Sequence, residues 1–411
     1  MTRPLEGYRI LELTNAVAGP VAGYVFADLG ADVIKIEAPN GRTAQQAAPP
    51  PAVEGAPDRP FNRVPNFNEL HRGKRHMSLD LSRPEGREIF LRLVPLADAV
   101  VENFSPRVLG NLGIDYPQLR EVKPDIILTS MPAFGKTGQY AGRASYGPGI
   151  DAMSGLSHLT GYADRGPGKP AQFYCDYHAG LTAAFATIAA LRHRSRTGEG
   201  QYIELAMLEG EMQLIAPALM DVVMNGRVQS RTGNRHAWHA PQGVYRCEGP
   251  DRWVAVSVQS DEQWRALATV IGGDALASDV RYASADARRE RHEEIDALIT
   301  AWSARRSDYE AMHALQSVGV PAGAVLDCEQ VMADPHLLHR ELIMWKDHPE
   351  AGRFPHTRLA WRSRSGTHGP SGPAPTFGDG NPYALRELLG EPPEVEAALL
   401  EAGVLAVEPR G

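Results

Sequence analysis

Residues 5–37 read LEGYRILELTNAVAGPVAGYVFADLGADVIKIE. Ile10, Leu11 and Leu13 form one short apolar run, and Val33, Ile34 and Ile36 form another. Between them Val21, Tyr24, Val25, Ala27 and Leu29 suit an amphipathic helix, and Gly30 ends it. The order is strand, glycine-marked turn, helix, strand. Two strands bridged by a helix pair in parallel, and this unit seeds an open α/β sheet whose ligands bind beyond the carboxyl ends of its strands. The turn Asn15-Ala16-Val17-Ala18-Gly19-Pro20 is therefore the first candidate ligand contact. Its glycines, Gly19 and Gly23, are spaced G-x-x-x-G, which is not the dinucleotide fingerprint G-x-G-x-x-G. A nucleotide-like ligand and an ordinary α/β start both fit.

Working outward, residues 38–66 are rich in Pro, Ala and Asn and read as a long loop. The α/β alternation then resumes. Strands are predicted at 77–81, 99–102, 126–131 and 202–206. Helices are predicted from Ser82, placed as a cap, through Leu93, at 116–122, from Asp176 to about 197, and over 209–224. Asn225-Gly226 breaks the pattern, and a polar, basic linker follows over 227–242. From Gly243 the texture is that of a hairpin (244–247 and 253–258), three helices and a strand at 322–326. The predicted organisation is a large α/β domain over 1–226, a small α+β domain with its linker over 227–330, and a return segment over 331–411 that packs on the large domain.

A chain of 411 residues with 43% hydrophobic content can build two cores. Its net charge of −8 argues against nucleic acid as a partner. Cys175, Cys247 and Cys328 are widely spaced with no C-x-x-C, which predicts reduced thiols and a cytoplasmic protein. The opening MTRPLEGYR has no apolar signal core, and the run 179–191 is too short to span a bilayer, so no membrane partner is expected.

Four segments carry candidate chemistry. Asp176 stands at the start of a long apolar helix, where unpaired N–H groups and the helix dipole hold a carboxylate ionised. It fits a plain cap or a carboxylate nucleophile that forms a reactive acyl anhydride. His71-Arg72-Gly73-Lys74-Arg75-His76 sets three cations around a glycine, as a polyphosphate site or a solvated basic turn would. Glu102-Asn103-Phe104-Ser105-Pro106-Arg107 follows a strand and offers an amide, an aromatic face and a charge. Phe134-Gly135-Lys136-Thr137-Gly138 exposes backbone N–H groups beside a lysine but lacks the P-loop frame. No metal is expected: His236 and His239 have no acidic or cysteine partner nearby in sequence, and there is no H-E-x-x-H. G-x-S-x-G is absent too.

Together these segments resemble the family III CoA-transferases, the CaiB/BaiF or formyl-CoA transferase family. The likeness runs through Leu5-Glu6-Gly7, Ala18-Gly19-Pro20, residues 29–37, Gly73-Lys74-Arg75, Glu102-Asn103-Phe104 with Pro106-Arg107, Gly135-Lys136-Thr137-Gly138 and residues 196–201. It implies a Rossmann-like large domain with an open, mostly parallel sheet, a smaller α+β domain, and a ring-shaped subunit in an interlocked homodimer. It implies coenzyme A and acyl-CoA as substrates, a free carboxylic acid as acceptor, and no tightly bound cofactor. By matching, Asp176 is the catalytic aspartate. Ala16, Val17 and Ala18 meet the pantetheine or acyl end, and Arg72, Lys74 and Arg75 meet the phosphates. Asn103, Phe104 and Arg107 bind the nucleotide portion, with Phe134, Gly135 and Lys136 nearby. Val17 and Ala38 stand where formyl-CoA transferases have glutamine and arginine, which argues against a formyl/oxalate pair. A 2-methylacyl-CoA racemase is an alternative on the same fold. Its histidine position falls on Tyr146, a poor base, while His178 keeps that alternative open. A CoA-binding subunit without turnover is the third.

Overall fold

β1 (Arg9–Leu13) and β2 (Asp32–Glu37) lie side by side in parallel, joined by α1 (Ala18–Asp28), as the opening stretch predicts. The computed structural model describes residues 3–41, 50–170, 173–364 and 366–410. Residues 42–49 of the expected loop lie outside them. The remainder of that loop holds a helical turn, Pro60–Asn62, and the start of α2 (Pro65–His71). Then come β3 (Arg75–Ser78), α3 (Pro84–Leu93), β4 (Ala99–Glu102), α4 (Val108–Leu112), α5 (Tyr116–Val122) and β5 (Ile127–Ser130). α6 (Gly147–Met153) and α7 (Leu156–Leu159) precede α8 (Tyr174–Thr197). β6 (Tyr202–Glu204), α9 (Met207–Met212) and α10 (Ala216–Asn225) follow. Ser82 does not cap α3: its hydroxyl donates to Asp80, and Arg83 takes the cap position.

The six strands form one parallel sheet in the order β3-β2-β1-β4-β5-β6. Chain direction across the sheet reverses between β1 and β4, so the ligand crevice of such a fold lies beyond Leu13 and Glu102. Both faces are covered by apolar side chains. Ile10, Val33 and Val101 pack among residues of α1 and α8, and Leu11, Ile34 and Val100 pack among residues of α3 and α5. Two covered faces explain why the strands read as unbroken apolar runs. Alternation then puts Glu12 and Lys35 on the α1 face, where both are buried.

The chain divides into two units: Met1–Ser157, Lys169–Arg227 and His339–Gly411 make the first, and His158–Gly168 with Val228–Leu338 the second. The short segment 158–168 thus groups with the second unit, although its place in sequence is inside the first. The second unit has its own three-stranded antiparallel sheet, β7 (Gln242–Arg246), β8 (Trp253–Ser257) and β9 (Ala322–Ala324). Val254, Val256, Trp264, Leu267 and Ile299 are part of its core. The return segment contributes a strand pair, Ile343–His348 with Gly352–Thr357, to the first unit.

Candidate active site

The turn after β1 is shaped from below by buried charge. Glu12 accepts from the Thr14 hydroxyl at 2.6 Å. Lys74 Nζ lies 2.7 Å from Glu12 Oε2, and Lys35 Nζ donates to the Thr14 carbonyl at 2.6 Å. Lys74 also donates to the Pro20 carbonyl at 3.0 Å, so Glu12 and its two lysines tie both ends of the turn. The two glycines of α1 make room for this. A Cβ on Gly19 would lie 2.4 Å from Thr14, and one on Gly23 would lie 1.8 Å from Glu12 Oε2. G-x-x-x-G here is a packing device over a buried ion pair. Glu12→Gln leaves two buried ammonium groups short of their carboxylate, and urea unfolding is expected to register a loss of about 3 kcal/mol or more. A loss below about 1 kcal/mol contradicts this account.

The loop after β4 is stitched to the same turn. Asn103 Oδ1 accepts from the Asn15 N–H, and Asn103 Nδ2 donates to the Asn15 carbonyl, both at 2.8 Å. Ala16 holds a left-handed φ of 57°, a conformation that costs a non-glycine residue energy and marks sites whose surroundings enforce it. Beside this turn are two cavities. One, of about 390 Å³, is lined by Asn15, Ala16, Lys35, Ala38, Phe67 and Phe104 among others. The second, of about 550 Å³, is lined by Leu13, Ala38, Leu79, Asp80, Phe104 and Arg410 among others. Phe104 borders both.

α8 delivers Asp176. Phe173 turns the chain with a left-handed φ of 59°, and the helix begins at Tyr174. Asp176 is therefore inside the first turn, not at the cap. The backbone N–H groups of Asp176 and of Ala18 favour its ionised form. Burial, then the charge of Asp151, outweigh them and raise the Asp176 carboxyl above its ordinary range. The residue is buried, with 8% of its surface exposed. Two more glycines set its surroundings. A Cβ on Gly180 would lie 2.4 Å from the Ala18 carbonyl, and one on Gly147 would lie 2.2 Å from Asp176 Oδ2.

The other expected site residues divide. Asn103, Phe104, Ala16, Val17 and Ala18 gather around the turn. Phe134 packs on Tyr140, and Gly135 takes φ 83° beside Glu204. Lys136 follows β5, with Nζ 3.7 Å from Glu102 and 4.9 Å from the centre of the Tyr202 ring. Arg107 is exposed at the start of α4 and makes no ion pair among the described residues. The basic segment is used differently from the expected phosphate cradle. Arg72 is 1% exposed, bound to Asp28 at 2.9 Å and Glu69 at 2.8 Å, and stacked over Tyr24. Lys74 belongs to Glu12. Arg75 sits at the amino end of β3, across the sheet from the crevice, with Asp32 and Tyr383. Sequence reasoning missed Lys35, Asp151, Glu211 and Arg410. The signal for Lys35 was a lysine inside an apolar strand; Asp151, Glu211 and Arg410 gave none.

Comparison with known proteins identifies the family. The profile of CoA-transferase family III matches residues 5–381, and the chain belongs to that family. A succinyl-CoA–D-citramalate CoA-transferase of Chloroflexus aurantiacus is 32% identical over 400 residues, covering 97% of both chains. A succinate–glutarate CoA-transferase of Agrobacterium fabrum is 37% identical over 339 residues, 82% of this chain and 84% of the relative. A crystal structure of a CaiB/BaiF family protein from Brucella suis superposes with a TM-score of 0.85 at 32% identity, covering 94% of this chain and all of the other. The protein is an enzyme that transfers CoA between an acyl-CoA and a carboxylic acid. Among the described residues no helix is long and apolar enough to cross a membrane.

Proposed function

We propose that Asp176 is the nucleophile of this transfer and that the donor and acceptor are dicarboxylic acids, with succinyl-CoA as donor. The observation that carries the first part is the carboxylate at the start of α8, facing the N–H of Ala18 on the same turn whose Ala16 lines a cavity. Asp176 Oδ attacks the thioester carbonyl, the C–S bond breaks and CoA thiolate leaves. The product is a mixed anhydride. The thiolate attacks the aspartyl carbonyl, releases the donor carboxylate and leaves an aspartyl-CoA thioester. The acceptor carboxylate repeats these steps in reverse and departs as acyl-CoA, with Asp176 restored. No proton is gained or lost overall. Backbone N–H groups of residues 16–18 are the natural donors to each oxyanion.

In this reading the two cavities hold CoA. Phe104 offers the adenine a face, and Arg410, Arg107 and Lys136 offer the phosphates charge. The dicarboxylate preference is supported by the substrates in the names of the two relatives above. An interlocked homodimer and a cytosolic location go with it. Phe185 is 74% exposed on α8, and Val223 and Met224 are 86% and 71% exposed on α10, apolar faces a second copy would cover. Sedimentation as a monomer would count against that assembly.

The test offers succinyl-CoA to a panel of short mono- and dicarboxylic acids and follows new thioesters by mass spectrometry. Fast transfer to dicarboxylates, with a CoA-sized adduct on the peptide holding Asp176, is the expected result. Equal rates with monocarboxylic acids remove the dicarboxylate assignment, and an adduct on any other residue removes Asp176.

A further inference from the structure

Behind Asp176 lies a group that the transfer chemistry does not use. α6 carries Asp151, α8 carries Cys175 and α9 carries Glu211. One polar atom from each lies within 4.8 Å of the other two. Asp151 is 1% exposed and Glu211 is fully buried. Asp151 Oδ1 and both Glu211 carboxyl oxygens find no ordinary hydrogen-bond donor. Ionised carboxylates only accept, so two of them shut away together either hold a proton or face a heavy desolvation and repulsion cost.

We propose that Asp151 and Glu211 share one proton, and that the single negative charge they keep makes them positioning residues for Asp176. The proposal rests on Asp176 being the nucleophile. The geometry joins the pair to it directly. Gly147 opens α6 without a Cβ, so the helix packs against Asp176 Oδ2, and Asp151 follows one turn later. Its charge repels that of Asp176, and a carboxylate so opposed is a stronger nucleophile. Burial, then Asp151, raises the Glu211 carboxyl well above the usual range, as a shared proton requires. The other groups around the pair do not neutralise it. Burial raises the Cys175 thiol, aided by Glu211, Asp176 and Asp151, so it stays protonated, and Ser154 is a neutral hydroxyl. Burial lowers the His178 imidazole, whose ring lies near Gly210 on α9. Lys169 lowers the proton affinity of Asp176.

Two measurements test this. Glu211 binds its proton more tightly folded than the 4.5 of an ordinary glutamate, so its contribution to stability is full at low pH and is lost as pH rises through the folded value. Glu211→Gln has no such proton to lose. Its melting temperature is expected to gain on the wild type between about pH 5 and about pH 8, and an infrared protonated-carboxyl band is expected to vanish. A parallel pH profile with an unchanged band overturns the shared proton, as does a stoichiometric divalent metal in the purified protein. The double variant Asp151→Asn, Glu211→Gln removes the charge as well. The acid limb of its kcat/KM profile is expected about one unit lower, because Asp176 then ionises more readily. A limb that stays in place overturns the positioning role. If instead Asp176→Asn retains turnover, the nucleophile assignment is lost while the Glu211→Gln stability result still stands.

Discussion

Asp176→Asn is expected to lower turnover by about four orders of magnitude or more while CoA still binds, because it removes the group that bonds to the acyl carbon and leaves its shape. No CoA adduct should form on the variant. Titration with CoA, followed by calorimetry, separates this from a folding defect. The same substitution has a second consequence of opposite sign. Burial and Asp151 raise the folded-state pKa of Asp176 above 3.8. A carboxyl whose folded value is raised contributes stability that is complete at low pH and is lost as pH climbs through that value. At neutral pH the native enzyme therefore carries a strained carboxylate, and the amide relieves it. The inactive variant should melt no lower than the wild type near pH 7 and lower relative to it near pH 4. Turnover that survives the change excludes the anhydride route; an inactive variant that also loses CoA binding points to collapse of the site. The wild-type rate should fall as pH drops through the Asp176 value, since only the ionised form attacks.

Much of the first unit was legible because its determinants are local. The run 5–37 spells out its own strand, turn, helix and strand, and the predicted bounds of 99–102 and 116–122 coincide with the structure. Asp176 was legible as a carboxylate at a helix start, although Phe173 moves the cap and sets it a turn position deeper. What was not legible depends on partners far along the chain. Arg72 and Lys74 look like free cations until Asp28 and Glu12 are brought beside them. A count of charges cannot tell a phosphate site from a buried ion pair, because both need the same side chains. Asp151 and Glu211 are unremarkable in sequence, and only the packing of α6 and α9 on α8 makes them neighbours. Arg410 reaches the cavity beside Ala38 from the far end of the chain.

Gly180→Ala is expected to be the most damaging single-methyl change in the site. Its Cβ would fall 2.4 Å from the Ala18 carbonyl oxygen and 2.6 Å from Val21 Cβ. The first is backbone, which cannot swing aside as a flexible side chain does, so α8 must move away from α1. These two helices pack against each other, and the contact carries the Ala18 N–H to Asp176. Overpacking of this kind costs about 1–3 kcal/mol of stability. Its effect on rate should exceed its effect on folding. A displacement of about 1 Å at a reacting group can cost about 100-fold, and here the displaced group is the nucleophile together with a donor that holds it. The expected outcome is a folded enzyme with about 100-fold lower kcat, little change in CoA affinity, and slower formation of the Asp176 adduct. The opposite pattern, weaker CoA binding with kcat and stability intact, would show that Gly180 makes room for the ligand chain and that helix spacing does not position the carboxylate.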